Sequence, residues 1–99
     1  WDRDHFLENL AGTETTCRLI YAKDYSFPTA AAEANRRGMS VEFIYGSERN
    51  VGETEPPMIN ILKNMKKPYG SKKVGCALIP DCTTSDGMYV VVGCLFQTA

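Results

Sequence analysis

Four cysteines and one histidine carry the most obvious chemistry in this 99-residue chain. Cys17, Cys76, Cys82 and Cys94 admit disulfides, a zinc site or free thiols. An even number in a short chain points to disulfides formed in an oxidising compartment. A zinc site announces itself as paired C-x2-C or C-x2-C with H-x3-H groups. Here the nearest pair is Cys76-x5-Cys82, and the lone His5 is far away in sequence. The cysteines therefore read as cross-links.

Nucleophilic catalysis needs a base beside a nucleophile. His5 stands among Asp2, Asp4 and Glu8 and reads as a surface histidine. Glu53 and Glu55 have the type for acid–base work, yet in a polar, turn-rich stretch they read as solvated charge. Tyr45-Gly46 to Gly52 is not a phosphate loop, because no Lys-Ser/Thr follows it. No catalytic residue, metal ligand or cofactor is assigned, and the expectation is a protein that is not an enzyme.

Charge is unevenly spread. Residues 1–55 carry six Lys/Arg against ten Asp/Glu, whereas residues 56–99 carry five lysines against Asp81 and Asp86. Those lysines (Lys63, Lys66, Lys67, Lys72 and Lys73) form a possible basic patch. Nucleic-acid binders show stronger basicity with arginine and exposed aromatics, so a solvated helix end explains them and no nucleic-acid partner is expected. At 43% hydrophobic and a net charge of −1, the chain is too apolar and too neutral for disorder.

The elements that would position these residues follow from periodicity. Asp2 to Leu10 reads as a helix with Asp2 as N-cap and Gly12 as its stop. Cys17 to Ala22 fits a strand or a further helical turn. Pro28 opens a helix over Thr29–Arg37 that Gly38 closes. Ser40–Tyr45 reads as a strand with Val41, Phe43 and Tyr45 on one face. Gly46 to Glu55 reads as the polar loop of the molecule. Long loops in compact domains are often functional, so Gly46, Ser47, Glu48, Arg49, Asn50, Glu53 and Glu55 are its candidate partner-contacting residues. Pro56-Pro57 leads into the clearest helix, where Met58, Ile61, Leu62 and Met65 share a face. Pro68-Tyr69-Gly70 ends it.

Two strands follow, Lys73–Ile79 and Met88–Phe96. The stretch Asp81 to Gly87 between them is turn chemistry and makes them a hairpin. The last strand is apolar on both faces, so both must be covered. A turn centred near residue 85 sets Cys76 opposite Cys94, close enough to bridge, and leaves Cys82 to reach Cys17. The alternatives are 17–76 with 82–94, and 17–94 with 76–82.

The chain is one domain's worth. No apolar run reaches the roughly 18 residues of a membrane span, and no N-x-S/T sequon occurs. It starts without methionine or signal peptide, which reads as a mature or trimmed secreted product.

Two stretches resemble a known family. Trp1-Asp2-x3-Leu7-Glu8-x-Leu10-Ala11-x5-Cys17 is similar to the W-[DN]-x-x-L-E-x-x-A…C helix of CAP domains, the cysteine-rich secretory, antigen 5 and pathogenesis-related proteins (SCP/TAPS). Val74-Gly75-Cys76-Ala77-x4-Cys82…Tyr89-Val-Val-Val-Gly-Cys94-Leu-Phe96 resembles the family's ending, V-G-C-[AG]-x3-C…V-x-C-x-[YF]. Together they cover about 40 of the 99 residues, in the family's order. The resemblance implies the pairing Cys76–Cys94 and Cys17–Cys82. The last strand, apolar on both faces and so covered by helices on both sides or by helix and loop, favours a small α/β/α sandwich of the α+β class, with a mainly antiparallel sheet ending in the hairpin. The family's cleft histidines and glutamates are missing. No histidine lies in Arg18–Ser26, Gly46-Ser-Glu48-Arg-Asn50-Val51 only faintly echoes G-E-N-[LV], and Lys63–Lys73 replaces H-[YF]-T-Q-x-[VM]-W. Cleft metal chemistry is therefore not carried over. A competing resemblance is to small secreted nematode proteins with a netrin-like, OB-type barrel and flanking helices. Inhibitors of that type chelate a protease zinc through an N-terminal cysteine, where this chain has Trp1.

The resulting expectation is a non-enzymatic secreted effector or binding protein. By its resemblance to nematode excretory-secretory antigens, it would modulate host immune or haemostatic proteins. Lipid or sterol carriage through the Met58/Ile61/Leu62/Met65 stripe and netrin-like protease inhibition are the alternatives.

Overall fold

The structure is a computed structural model that describes residues 2–23, 25–50 and 71–98. The helix expected after Pro56-Pro57, with its methionine stripe, lies outside the described residues, as do Glu53, Glu55, Lys63, Lys66 and Lys67. The described elements are β1 (Asp2–Arg3), α1 (His5–Glu14), a 3-10 turn (Cys17–Ile20), α2 (Pro28–Arg36), β2 (Val41–Arg49), β3 (Lys73–Thr84) and β4 (Gly87–Gln97). The strands form one sheet in the order β1-β3-β4-β2. It is mixed: β1 runs parallel to β3, and the other two pairings are antiparallel.

The first helix starts later and ends later than its sequence signals imply. Asp2 is not its cap. The Asp2 amide donates to the Lys72 carbonyl and the Asp4 amide to that of Val74, which holds the chain extended along β3. Asp4 then caps α1, its Oδ1 accepting from the Leu7 amide at 2.9 Å. Gly12 lies inside the helix. A helical glycine costs about 1 kcal/mol relative to alanine, and burial of Leu7, Leu10, Ala11 and Glu14 carries the helix past it. The ambiguous Cys17–Ala22 stretch is a single 3-10 turn. The second helix follows its local signals closely, with Pro28 at its start and Gly38 beyond its end at φ +71°, a conformation that favours glycine.

Strand β2 does not stop at Tyr45. Gly46, Ser47, Glu48 and Arg49, expected in a polar loop, pair with Val92, Val91, Val90 and Tyr89 of β4. The long apolar β4 must satisfy its backbone groups along its whole length, and β2 supplies the partners although its own side chains turn polar. The hairpin is likewise tighter than expected. Only Ser85 and Asp86 form the turn, while Cys82–Thr84 remain in strand. The Thr84 hydroxyl accepts from the Asp86 amide and donates to the Gly87 carbonyl, and Gly87 has φ +126°.

A turn at Ser85-Asp86 would, in a regular ladder, set Cys76 opposite Leu95 on the helix-facing side. The register instead shifts between Ile79 and Cys82, where Pro80 and Asp81 together stand against Val90. Pro80 has no N–H to contribute, and a bulge is where a strand accommodates that. The extra residue turns Cys76 to the opposite face from Cys82. Cys76 meets Cys94 across the ladder with Cα atoms 4.0 Å apart, and Cys82 reaches Cys17 on the 3-10 turn at 5.5 Å. The two disulfides thus sit on opposite faces of one hairpin.

Both faces of β4 are buried, as its sequence requires. Val91 and Leu95 face α1 and α2, in a cluster with Leu7, Leu10, Ala11, Leu19, Ala30, Ala34, Phe43 and Cys82. Val90, Val92, Cys94 and Phe96, each at most 4% exposed, form the second cluster with Val74 and half-buried Ile44. Both described helices contribute to the first cluster only. Gly75 and Gly93 let α1 approach the sheet: a Cβ on Gly75 would overlap the Leu7–Glu8 backbone, and one on Gly93 would overlap Thr15 Oγ1 and come within 2.7 Å of the Phe43 ring.

Candidate functional site

The turn end of the sheet gathers the exposed side chains best suited to contact a partner. The hairpin presents Asp86, Met88 and Tyr89, and β2 runs alongside to bring Arg49 opposite Tyr89. Tyr89 donates from its hydroxyl to Asp86 Oδ2 at 2.8 Å. That bond, then burial and the aspartate's charge, push the Tyr89 pKa above its ordinary value, while Arg49 pulls the other way. The Arg49 guanidinium lies over Gly87, where a Cβ would meet its Nε at 3.1 Å, and it has no carboxylate partner among the described residues. Tyr21 leaves the 3-10 turn 72% exposed on the helix-facing side, held near the hairpin by Cys17–Cys82. Met88 and Leu78, both more than 40% exposed, lie on the opposite face.

Of the sequence-predicted contact residues, Gly46, Ser47, Glu48 and Arg49 therefore sit on a strand rather than a loop. Asn50 follows them, its amide donating to the Met88 carbonyl at 2.7 Å. The basic patch is only partly described. Lys73 Nζ lies 3.7 Å from Asp4 Oδ2 and is used locally, and Lys72 is exposed at the opposite end of the sheet from the hairpin turn. His5 is a surface residue, its side chain 97% exposed with Nδ1 3.4 Å from Glu8 Oε2. Glu8 also receives Arg3 at 3.1 Å. Among the described residues no three His, Cys, Asp or Glu side chains gather into a potential metal site. No described helix is long and apolar enough to cross a membrane.

The chain matches no family model, no curated protein and no solved structure. What it can do must be read from its own residues.

Sequence reasoning missed one polar constellation. Glu14, only 6% exposed at the end of α1, accepts a hydrogen bond from the Tyr25 hydroxyl at 2.9 Å. Tyr25 packs with Phe43 and Tyr45, and its amide donates to the Tyr45 hydroxyl, which in turn donates to the Lys23 carbonyl. These contacts clamp the segment before α2 onto both α1 and β2. Neither partner carries a local sequence signal, because eleven residues and a 3-10 turn separate them. The hydrogen bond to Glu14, then burial and the carboxylate's charge, raise the Tyr25 pKa. A raised tyrosine pKa stabilises the fold fully below the ordinary value of about 10 and loses that contribution as pH rises through the folded value. Urea unfolding as a function of pH should accordingly show a steeper alkaline loss of stability in the wild type than in Tyr25→Phe. Equal slopes would mean that this pair contributes nothing.

Proposed function

We propose that this chain is a secreted, non-enzymatic binding protein that contacts a host protein through the turn end of its sheet. The observation that carries the reading is the group of exposed Tyr21 and Arg49 beside half-buried Tyr89, on a scaffold held by Cys17–Cys82. Tyrosine and arginine are the residues that dominate protein–protein hot spots, since they combine large contact area with hydrogen bonding. Among the described residues the Arg49 guanidinium has no carboxylate to give up on binding, and the cross-link limits the ordering cost of Tyr21. Two disulfides in a chain of this size fit an oxidising, extracellular setting. The resemblance to CAP domains supports the same setting and a target among immune or haemostatic proteins.

An arrayed panel of extracellular immune-receptor and coagulation-protein domains tests this. The expected result is saturable binding to a panel member, weakened about tenfold or more by Tyr21→Ala with Arg49→Ala, and unchanged by Lys72→Ala at the far end of the sheet. Absence of binding across the panel, binding indifferent to the double substitution, or turnover of peptide, ester or phosphate substrates above background would each overturn the reading.

A further inference from the structure

The hydrogen-bond phase of β2 shows which of its backbone groups are spent. The amide of Asn50 donates to Met88 and that of Thr98 to Ser40, so the even-numbered residues along β2 face β4. The narrow Cys76–Cys94 spacing agrees, because a residue in a non-hydrogen-bonded pair with β3 turns its groups toward β2. The odd-numbered residues Val41, Phe43, Tyr45, Ser47 and Arg49 therefore direct N–H and C=O away from the sheet. Among the described residues no strand pairs with that side, and none of these backbone groups has a hydrogen-bond partner there. Natural edges are blunted with proline, lysine or a bulge. Strand β2 has no proline, lysine or bulge, is charged only at Glu42, Glu48 and Arg49, and keeps unbroken register with β4 over nine residues.

We propose that the outer edge of β2 takes an extended segment of another protein as an added strand, and that this segment carries lysine or arginine opposite Glu42 and Glu48. The proposal rests on the protein-contact reading above and names its recognition mode. Main-chain bonds to the odd-numbered residues supply affinity, and alternate side chains supply selection. On the face away from the helices the edge displays Glu42, Ile44, Gly46 and Glu48 in sequence, and neither carboxylate has a cation partner among the described residues. An incoming strand therefore meets negative charge at both ends and the half-buried, uncharged Ile44 and Gly46 between them. The matching pattern is basic-x-apolar-x-apolar-x-basic, which reads the same in either direction. A second copy of this chain is the poorer occupant: full antiparallel overlap of two β2 strands sets Glu42 against Glu48 twice, and directly opposed like charges destabilise a strand pair.

The probe is a synthetic peptide, Gly-Ser-Lys-Thr-Val-Thr-Val-Thr-Lys-Ser-Gly, with a twin in which glutamate replaces both lysines. It is titrated to millimolar concentration into isotope-labelled protein while amide exchange is followed. In the free protein the amides of Tyr45, Ser47 and Arg49 should exchange about tenfold or more faster than those of Ile44, Gly46 and Glu48. The lysine peptide should slow them. Glu42→Lys with Glu48→Lys should weaken the lysine peptide about tenfold and create affinity for the glutamate twin. Protected odd-numbered amides in the free protein, no spectral change at millimolar peptide, or binding indifferent to the charge exchange would overturn the proposal. So would edge protection that appears only in a dimer seen by sedimentation. If the peptide fails while a panel protein still binds in a Tyr21-dependent way, strand addition falls and the contact reading stands.

Discussion

Replacing Cys17 and Cys82 by alanine is expected to cost about 4 kcal/mol, against about 3 kcal/mol for the same change at Cys76 and Cys94. The difference comes from the unfolded chain. The first bridge closes a separation of 65 residues and the second one of 18, and a longer closed loop removes more conformational entropy from the unfolded ensemble. Cys82 and Cys94 are each buried, so either loss leaves a void and burial does not separate the two. Position does add to the difference. The Cys17–Cys82 bridge is the link between the 3-10 turn and the hairpin, whereas Cys76 and Cys94 join strands already paired along their length. For a domain whose total stability is about 5–15 kcal/mol, loss of the first bridge takes away much of the margin. Urea unfolding of the two double variants checks this. Loss of Tyr21-dependent binding should accompany the Cys17/Cys82 change, because Tyr21 is then free to leave the hairpin. An inverted order of the two costs would show that chain entropy does not govern this fold.

Gly75→Ala is expected to cost about 3 kcal/mol or more. The obstacle is main chain: the added Cβ would overlap the Leu7 carbonyl carbon and the Glu8 amide and lie 2.6 Å from the Leu7 Cβ. No rotamer change relieves a backbone collision, so α1 would have to lift from β3 and expose Leu7 and Ala11, which are fully buried. Gly93→Ala should be milder, since Thr15 Oγ1 and the tip of the Phe43 ring are side-chain atoms that can shift. Gly12→Ala is the control, with open space around the position and a helical backbone. It should gain about 0.5–1 kcal/mol. Thermal or urea unfolding of the three variants separates these effects. A Gly75 variant as stable as the wild type would mean that the helix does not sit this close to the sheet.

Much of the architecture was legible because its causes are local. The second helix is bounded by Pro28 and Gly38, whose preferred backbone angles act wherever those residues stand. The alternation of Tyr89, Val91 and Leu95 with Val90, Val92 and Phe96 announces a strand buried on both sides. Counting outward from a turn near residue 85 set Cys76 against Cys94, and the resemblance to CAP domains implies the same bridge. The count matches the structure because the bulge at Pro80-Asp81 makes up the one-residue difference between that centre and the turn at Ser85-Asp86. Nothing in the spacing alone reveals that bulge.

Residue types and spacing thus determined that the cysteines cross-link, the two-faced strand, the helix bounded by proline and glycine, and the polar character of residues 46–49, while the bulge at Pro80-Asp81 decided which cysteines meet. Folding in three dimensions decided where polar chain becomes strand, where the first helix begins, and that Tyr21, Arg49 and Tyr89 share one end of the sheet. The physical reason is the reach of the forces involved. Capping, turn and alternation preferences act within a few residues. Hydrogen-bond demand from β4 drew Gly46–Arg49 into register across some forty residues of sequence, and β3 captured Asp2 and Arg3 across about seventy. Pairings over that distance are written only in the partner strand.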